Sequence, residues 1–586
     1  MKKILSLLLL GLATFITYGS AIRNGFVWDD TALILRDPLI RSWRLIPEGF
    51  QHFLFVDATA SDFYRPIQRL TYTLDYVAFG FRPSAFHLTS VALHFLAVIA
   101  LFFFTMELLR SFEVDERRGR LTAFFAALIW AIHPALTSAV AYISGRADSL
   151  AALFGFAALY LGLIAARQDG YRGWLLNGLC ALLLLLSALS KEAGLIFPIV
   201  WIALLLLQRK TKPIFPAAIA IVFTVVIYGV LRVSAEHTPA PAPQSLPLLV
   251  RPILIARAIA EYAGVIILPF HLHMDRDVET HPFGFSSASM TGAAWRELQT
   301  IAGLLLLVAL IFWCALTWKR DRIIAIFLIL TATTYLPISG LVLLNATVAE
   351  HWLYLPTSFF FAAIAYSLTR KKLGVCLLAC WSLFLGARTF VRCHDWKDQR
   401  TFLERTIADG GDSARMLINL GALESSENHL EEAKKDLAAA LQKEPEQPLA
   451  TVNLAAVAVK QNEFAAAHAL LERATKMPLV EAQADELLAI LESKETGRAN
   501  LLRMRLASRS GAPNWSIEKR YIKLLDELGS TDAAILELRQ CLHEQWYRAD
   551  SWKLLSELLS KAGQAQEAAE ALVRARRYDV RLDEHS

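Results

Sequence analysis

The chain has 586 residues, of which 55% are hydrophobic and 19% are charged, and its mean hydropathy is +0.40. This composition excludes a disordered chain, a collagen-like chain and a small domain held together by disulfides. Residues 1–400 carry 35 Lys and Arg against 24 Asp and Glu, whereas residues 401–586 carry 24 against 30. The division predicts an apolar, basic membrane domain over residues 1–395 and a soluble domain over residues 396–586.

Eleven apolar segments in the first domain approach the length of about 17–25 residues that a helix needs to cross a bilayer. They are residues 4–22, 86–109, 121–141, 149–166, 174–190, 193–208, 214–234, 298–318, 323–343, 353–369 and 373–390. Basic residues precede the first segment and follow every second one, at Lys2 and Lys3, Arg110 to Arg120, Arg167, Arg209 to Lys212, Lys319 to Arg322 and Arg370 to Lys372. The excess of basic residues in cytoplasmic loops therefore predicts an N-terminus inside and a C-terminal domain outside.

Two further apolar features need a separate interpretation. Residues 251–270 would reverse this orientation if they crossed the membrane, so we predict that they are re-entrant or lie against the helix bundle. The first segment has the basic start and the small residues Gly19-Ser20-Ala21 of a signal peptide. We interpret it as an uncleaved anchor, because the outward loop after it reads as functional and needs positioning.

The soluble domain contains a repeat of 34 residues. Asn419-Leu420-Gly421 recurs as Asn453-Leu454-Ala455. The small residues that recur at the same interval are Ala433 and Ala467, Ala440 and Ala474, and Ala534 and Ala568, and Trp552 and Leu555 occupy the positions of large residues. A weaker copy covers 482–514 and ends at Pro513. The spacing predicts tetratricopeptide repeats, four clear and one degenerate, which stack into a superhelix; a helical bundle without true repeats is the alternative.

The outward loop after the first segment begins with Asn24-Gly25-Phe26-Val27-Trp28-Asp29-Asp30. The three apolar residues suit an anchor at the membrane surface. Adjacent carboxylates raise each other's proton affinity, which suits a general base that works near neutral pH. Asp29 and Asp30 are therefore candidate catalytic residues, and an ordinary polar turn or helix cap is the alternative. The spacing alone does not choose between the two carboxylates.

Other charged side chains lie at outward-facing ends in apolar surroundings. They are Arg65, His87, Arg146, Asp148, Lys191, Glu192, Glu350 and His351. Each has a structural alternative: Arg65 and Lys191 could snorkel to lipid headgroups, and Asp148 could cap a helix. Together they point to a functional cavity at one membrane face, because ionisable residues at membrane depth usually mark such cavities. We predict that Arg65, Arg146, Lys191 and His351 bind a phosphate and that His87, Asp148, Glu192 and Glu350 line the pocket.

These motifs, in this order, resemble the GT-C glycosyltransferases. The closest similarity is to the transmembrane and tetratricopeptide repeat-containing O-mannosyltransferases. The matching stretches are Phe26 to Asp30, Tyr64-Arg65-Pro66, Phe86-His87-Leu88 with His94, His133-Pro134 with Gly145 to Asp148, Ser190-Lys191-Glu192, and Ala349-Glu350 with Leu353 to Pro356. The resemblance covers nearly the whole chain, and it implies an all-α fold in which a GT-C helix bundle of about eleven spans precedes the repeats. The family commonly has Arg after the late Glu, where this chain has His351.

The resemblance implies an inverting transfer of a sugar, mannose in the first instance, from a polyprenyl-phosphate carrier to a Ser or Thr hydroxyl of a protein. One of the two aspartates would remove the hydroxyl proton, and the basic residues would stabilise the lipid phosphate that leaves. No cofactor or metal is expected. The expected partners are the lipid-linked sugar, membrane lipids and a protein or peptide acceptor that the repeats could bind, with no nucleic acid. The short loops indicate a bacterial inner-membrane protein with periplasmic repeats.

Two other functions remain open from the sequence. The chain could act on a lipid or glycan acceptor, although such an enzyme does not need a repeat array. It could also be a membrane-anchored scaffold without catalytic activity, but that function would leave the charged cluster at the outer face unexplained.

Overall fold

The computed structural model describes residues 3–56, 61–208, 214–236, 250–276, 278, 287–341, 344, 346–411, 413–509 and 514–584. Lys2, Arg209, Lys210, Lys212 and Pro513, on which the sequence analysis relied, lie outside these residues.

The all-α prediction is confirmed. The first fifteen helices are α1 (Lys3–Thr17), α2 (Ile46–Gly49), α3 (Pro66–Phe79), α4 (Pro83–Ser111), α5 (Glu116–Ile132), α6 (Arg146–Ala165), α7 (Gly170–Ser190), α8 (Ile196–Leu207), α9 (Ile214–Ser234), α10 (Arg251–Ile267), α11 (Ser287–Arg320), α12 (Arg322–Tyr335), α13 (Tyr354–Leu368), α14 (Lys372–Arg392) and α15 (Gln399–Ala408). In the described ranges the sheet structure consists of β1 (Asp275–Arg276) and β2 (Val348–Ala349), which pair antiparallel with Asp275 opposite Ala349.

The helices of the C-terminal region follow as five consecutive hairpins. They are α16 (Ala414–Ser426) with α17 (Leu430–Lys443), α18 (Pro448–Gln461) with α19 (Phe464–Ala474), α20 (Glu481–Thr496) with α21 (Leu501–Arg509), α22 (Trp515–Glu527) with α23 (Thr531–Glu544), and α24 (Ala549–Lys561) with α25 (Ala565–Tyr578). Each hairpin packs against the next. The recurring alanines are buried, as the small residues of a tetratricopeptide repeat are, and the degenerate copy corresponds to α20 and α21.

The chain divides into two compact units. The first contains residues 1–30, 83–234 and 242–411, and the second contains residues 31–82, 235–241 and 412–586. The second unit therefore combines the repeats with most of the loop between α1 and α4. The boundary at residues 395 and 396 that the sequence predicts for the functional domains stays a prediction.

Six helical segments in the described residues are long and apolar enough to cross a membrane. They are Pro83–Ser111, Ile143–Ala165, Gly170–Ser190, Ile214–Ser234, Gly292–Arg320 and Lys372–Trp396. The chain is thus an integral membrane protein. The five other predicted spans contain helices α1, α5, α8, α12 and α13, which have 12 to 17 residues. The count of eleven crossings stays a prediction.

Prolines explain why two of these helices end before the apolar sequence does. The apolar segment 121–141 continues past Ile132, but α5 stops there because Pro134 has no N–H and holds His133 in an extended conformation. Residues Pro134–Ala139 then form a 3₁₀ helix. Pro337 has the same position after α12, where Leu336–Ile338 form a 3₁₀ turn.

Helix α10 corresponds to the segment that the sequence predicts to be re-entrant or to lie against the bundle. It packs against α11, where Gly303 permits the close approach. A Cβ atom on Gly303 would lie 1.7 Å from the carbonyl oxygen of Ala256, so a larger residue has no room. Helix α10 has 17 residues and is not among the six long candidates.

Candidate functional site

The segment from Asn24 to Asp30 bends sharply at Trp28. Trp28 has a φ of 50°, a left-handed conformation that is uncommon for a bulky residue. Its N–H donates to Gln399 Oε1 at 2.5 Å. Its indole lies 5.4 Å from the ring of Phe402 and 6.2 Å from that of Tyr142, measured between centroids. The bend is therefore held by contacts with residues far away in the chain, which compensate for the strained conformation.

Asp30 is fully buried, and three N–H or O–H groups donate to its carboxylate. The N–H and the hydroxyl of Ser144 donate to Oδ1 at 2.8 and 2.6 Å, and the Val27 N–H donates to Oδ2 at 3.1 Å. The turn that carries Ser144 packs so closely on the preceding 3₁₀ helix that a Cβ atom on Gly145 would lie 2.0 Å from the carbonyl oxygen of Ser138. Asp30 thus joins the loop after α1 to the turn before α6.

Burial raises the pKa of Asp30 from its usual 3.8 to about 7, although the hydrogen bonds from Ser144 and Val27 oppose the shift. The charge of Asp29 contributes a small further increase. A carboxylate with this pKa gains or loses its proton near neutral pH.

Asp29 is only half-buried, unlike Asp30. The phenol of Tyr142 lies close enough to interact with the charges of both aspartates. Tyr142 also stacks on Trp396, with ring centroids 5.2 Å apart. Trp28, Tyr142, Trp396 and Phe402 therefore form an aromatic cluster that meets the two carboxylates at Tyr142.

His87 and Arg146 lie near the same segment and are both buried. His87 Nε2 makes a hydrogen bond with the carbonyl oxygen of Gly25 at 3.2 Å. Arg146 donates from Nη2 to the carbonyl oxygen of Phe86 at 2.6 Å and from Nε to Ser90 Oγ at 3.2 Å. The structure thus places His87 and Arg146 beside the loop of the two aspartates. That they form one site stays a prediction.

Lys191 and Asp148 form a largely buried ion pair. The ammonium of Lys191 donates to both carboxylate oxygens of Asp148, at 2.6 and 2.7 Å. The pair connects the first turn of α6 to the residue that follows α7. The neighbouring Glu192 lies 3.9 Å from the guanidinium of Arg232 on α9. Lys191, a predicted phosphate ligand, is therefore paired with Asp148, a predicted pocket residue.

Glu350 belongs to a separate network of buried charges. Its carboxylate accepts the N–H of His273 and lies 3.5 Å from Arg392 Nη2. Arg392 Nη1 also donates to Asp395 at 2.8 Å. Burial raises the pKa of Glu350, and the charge of Arg392 opposes the increase. This network fixes the loop before α13 to the end of α14.

Tyr354 anchors the other end of the late motif. Its hydroxyl makes hydrogen bonds with His94 Nδ1 at 2.7 Å and Ser149 Oγ at 3.1 Å, and Trp130 Nε1 donates to its carbonyl oxygen at 2.7 Å. The four residues come from α4, α5, α6 and α13. His94 is thus a core histidine that links α4 to α13. This is one of the structural roles that a buried histidine can have.

The two remaining predicted phosphate ligands have different surroundings. Arg65 is in the second compact unit, where its guanidinium lies 4.5 Å from the ring centroid of Phe63. His351 is half-buried beside Trp352, with ring centroids 5.8 Å apart. In the described residues, no three His, Cys, Asp or Glu side chains are arranged to hold a metal ion. The absence of a metal requirement stays a prediction.

Sequence reasoning missed four residues that organise the site, namely Ser144, Tyr142, Gln399 and Arg392. Ser144 directly precedes the Gly145 to Asp148 motif, and Arg392 opens a polar run at the end of an apolar segment. Ser144 and Arg392 could therefore have been found from their neighbours in the sequence. Gln399 gave none, because only the fold brings it to Trp28.

The chain has similar relatives among proteins of known name. Protein O-mannosyl-transferase F38B6.6 of Caenorhabditis elegans is 24% identical over 461 residues, covering 75% of this chain and 63% of the relative. Protein O-mannosyl-transferase TMTC3 of Mus musculus is 24% identical over 483 residues, covering 75% and 51%. The chain is similar to protein O-mannosyl-transferases. The family resemblance drawn from the motifs is confirmed.

The similarity is stronger but shorter with another relative. Protein O-mannosyl-transferase TMTC1 of Mus musculus is 33% identical over 170 residues, which are 28% of this chain and 17% of the relative. The chain matches about half to two thirds of the length of the relatives that it covers best. No protein-family pattern matches the chain. A solved structure, MamA MSR-1 C2, matches 30% of the chain and 84% of its own at 15% identity, with a TM-score of 0.16.

Proposed function

We propose that this chain is a GT-C membrane glycosyltransferase that transfers a sugar to Ser or Thr hydroxyls of proteins. The observation that carries the proposal is the similarity to protein O-mannosyl-transferases over 75% of the chain. The hydrogen bonds to the buried Asp30 also support it, because they fix this carboxylate in place. The neighbouring Asp29 is more exposed. The proposed donor is a polyprenyl-phosphate sugar, with mannose as the first candidate, and the proposed reaction inverts the anomeric centre.

Asp29 is the proposed general base. Asp30 already accepts from Ser144 and Val27 and is fully buried, so an acceptor hydroxyl has little access to it. Asp29 follows the bend at Trp28 and keeps part of its side chain exposed. It would accept the hydroxyl proton while the oxygen attacks the anomeric carbon, and the bond to the lipid phosphate breaks. Asp30 would hold the bend in place.

Arg65, Arg146, Lys191 and His351 remain the proposed ligands of the donor phosphate, and their protein contacts limit what each can offer. Lys191 uses two of its three N–H groups on Asp148. The Arg146 guanidinium has five N–H donors, and contacts with Phe86 and Ser90 engage its Nη2 and Nε atoms. His87, Asp148, Glu192 and Glu350 remain the proposed pocket residues.

The proposed acceptor is a protein segment outside the cytoplasm, which the repeats could bind. In a bacterium this side would be the periplasm and the membrane the inner membrane. The repeat array favours a protein acceptor over a lipid or glycan, because an enzyme for those acceptors has no need of such a domain.

The test is to replace Asp29 in the full-length protein. Asp29→Asn keeps the shape and removes the proton acceptor. We expect it to insert and fold normally but to lose at least ~100-fold in transfer from polyprenyl-phosphate mannose to a Ser/Thr peptide in membranes. Asp62→Asn, an exposed carboxylate of the same loop, is the matched control and should retain activity.

Two results would count against the proposal. Near-normal transfer by both Asp29→Asn and Asp30→Asn would contradict the carboxylate mechanism. Absence of transfer by the unchanged protein from any polyprenyl-phosphate sugar would favour a scaffold without catalytic activity.

A further inference from the structure

The segment that follows α14 lies along the loop that carries the two aspartates. Asn24 Nδ2 donates to the carbonyl oxygen of Cys393 at 2.9 Å. The N–H of Gly25 donates to the carbonyl oxygen of Lys397 at 2.8 Å. Both segments belong to the first compact unit. These two contacts use backbone oxygens, so they do not depend on which side chains positions 393 and 397 carry.

The third contact, directly before the two aspartates, uses a side chain. The N–H of Trp28 donates to Gln399 Oε1 at 2.5 Å. Gln399 is the first residue of α15. The direction in which the Asp29 side chain points follows from the backbone angles of the residue before it, because those angles set the position of the peptide plane that joins the two. The residue type at position 399 therefore bears on the direction of the Asp29 carboxylate.

Helix α15 contacts Trp28 at a second point. Phe402 lies three residues after Gln399, on the same face of the helix. Its ring centroid is 5.4 Å from that of the Trp28 indole. Trp396 stacks on Phe402 with centroids 4.7 Å apart, and both rings are buried. Ring packing thus holds the Trp28 side chain, and Gln399 holds its backbone N–H.

The backbone conformation of Trp28 explains why it needs both contacts. Its φ of 50° lies in the left-handed region, which glycine or asparagine normally fills at a sharp bend. A bulky residue keeps such a conformation only where its surroundings fix it, and strain of this kind is concentrated at functional sites. Loss of the Gln399 oxygen would let the peptide plane before Trp28 rotate towards a relaxed conformation.

Asp29 therefore has a fixed residue on each side. Before it, Gln399 and the aromatic rings hold Trp28. After it, the N–H and the hydroxyl of Ser144 donate to Asp30 Oδ1. Asp29 itself is half-buried. A change at either neighbour would move the Asp29 carboxylate.

We propose that Gln399 is a positioning residue for the transfer reaction: by accepting the Trp28 N–H, it aims the Asp29 carboxylate at the acceptor hydroxyl. This inference rests on the proposed function, in which Asp29 is the general base. Gln399 acts through the backbone of Trp28 and not by contact with the substrate. A displacement of 1 Å can lower a reaction rate by about 100-fold, so one rotated peptide plane is enough for a measurable loss.

The test measures transfer from polyprenyl-phosphate mannose to a Ser/Thr peptide by the full-length protein in membranes. Gln399→Leu keeps the approximate size of the side chain and removes the acceptor oxygen. We expect its kcat to fall by about 10- to 100-fold. The KM for the donor and the melting temperature should change little, because the contacts at Lys397 and Phe402 remain.

Two further variants show whether the loss comes from the hydrogen bond. Gln399→Glu keeps an acceptor oxygen at the same position and should recover most of the lost kcat. Glu404→Leu makes the same kind of replacement at an exposed position of α15 and should behave as the unchanged protein.

A double variant shows whether Gln399 acts through Asp29. In the Asp29→Asn protein, which lacks the proposed base, Gln399→Leu should cause no further loss of rate, because there is no carboxylate left to aim. A residue with a general structural role would lower the rate by the same factor in both backgrounds.

The failure of this inference differs from the failure of the proposed function. Normal kcat in Gln399→Leu, together with strongly reduced transfer by Asp29→Asn, would overturn the role of Gln399 alone. So would equal losses in the two backgrounds, or a loss that Gln399→Glu does not recover. No transfer by the unchanged protein, or normal transfer by Asp29→Asn, would overturn the proposed function or its base, and the role of Gln399 with it.

Discussion

Asp30 lies fully buried against Ser144, whereas Asp29, one residue earlier, keeps part of its side chain exposed. Both carboxylates follow the bend at Trp28, and the aromatic cluster around Trp28 holds that bend. Adjacent residues can therefore have different roles: Asp30 accepts hydrogen bonds that hold the loop, and Asp29 is the carboxylate that we propose acts on the substrate.

The buried Asp30 should make stability depend on pH. Its pKa in the folded protein is about 7, above the usual 3.8, so the folded state holds a proton that the unfolded state releases. Its contribution is complete below pH 3.8 and is lost as the pH rises to about 7, a change on the order of 4 kcal/mol.

We therefore expect the melting temperature of the unchanged protein, relative to Asp30→Asn, to fall between about pH 4 and pH 7 and to level off above pH 7. Thermal denaturation of both proteins in the same detergent measures this difference, and other titrating groups cancel in the comparison. A difference that is independent of pH would mean that Asp30 is ionised throughout.

The sequence could predict which residue types would form the site but not how they pair. The acidic pair and the scattered basic residues were visible, because charges in apolar surroundings are conspicuous. The bond between Asp30 and Ser144 joins residues 114 positions apart, and local patterns contain no information about it. The same limit applies to Lys191, whose partner Asp148 could be found only from the packing of α6 and α7.

At the scale of elements, several of the predicted site residues lie in or directly after short 3₁₀ segments. Ile143–Gly145 directly precedes α6, which carries Arg146 and Asp148. Glu192–Leu195 and Glu350–Leu353 themselves contain the predicted residues Glu192, Glu350 and His351. They lie at or beside the gaps between the spans that the sequence predicts. Helix existence was therefore predictable, whereas helix ends depended on prolines and on tertiary contacts.

The ion pair between α6 and the end of α7 should contribute to stability. Lys191→Met leaves the Asp148 carboxylate buried without its partner, which should cost about 3–5 kcal/mol. We expect a clearly lower melting temperature, with partial recovery in the double variant Lys191→Met/Asp148→Leu. Lys397→Met, at an exposed lysine of the same unit, is the control.

This substitution also separates two roles of Lys191. If Lys191 served only to bind the donor phosphate, Lys191→Met would raise the KM for the lipid-linked sugar and leave the melting temperature unchanged. That outcome would contradict a structural role for the pair.

The repeat register makes a prediction about Ala467. Its side chain is fully buried between helices, so Ala467→Leu should overpack the array and cost about 1–3 kcal/mol. Ala466→Leu, one position away and exposed, should have little effect. Thermal melting of the full-length variants measures both, and equal melting temperatures would contradict the register.

At the scale of the whole molecule, the sequence and the structure both bear on which segments share a side of the membrane. The sequence pattern of basic loops predicts that the loop between α1 and α4 and the repeats lie on one side. The second compact unit contains both of these segments, with Tyr76 of α3 bonded to Asp579 beyond α25. Segments that form one unit must share a side of the membrane, so an even number of crossings separates residues 31–82 from the repeats.

The orientation itself is the last prediction. If the N-terminus is inside, α1 is the first crossing, and the repeats share a side with residues 31–82, then the C-terminus is outside. A reporter that is active only in the cytoplasm, fused after Ser586, should be silent, and the same reporter fused before α1 should be active. A reporter that matures only outside the cytoplasm should give the opposite pair of results. A strong cytoplasmic signal after Ser586 would mean that the number of crossings is even or that the N-terminus is outside, and the fusion before α1 distinguishes these two explanations.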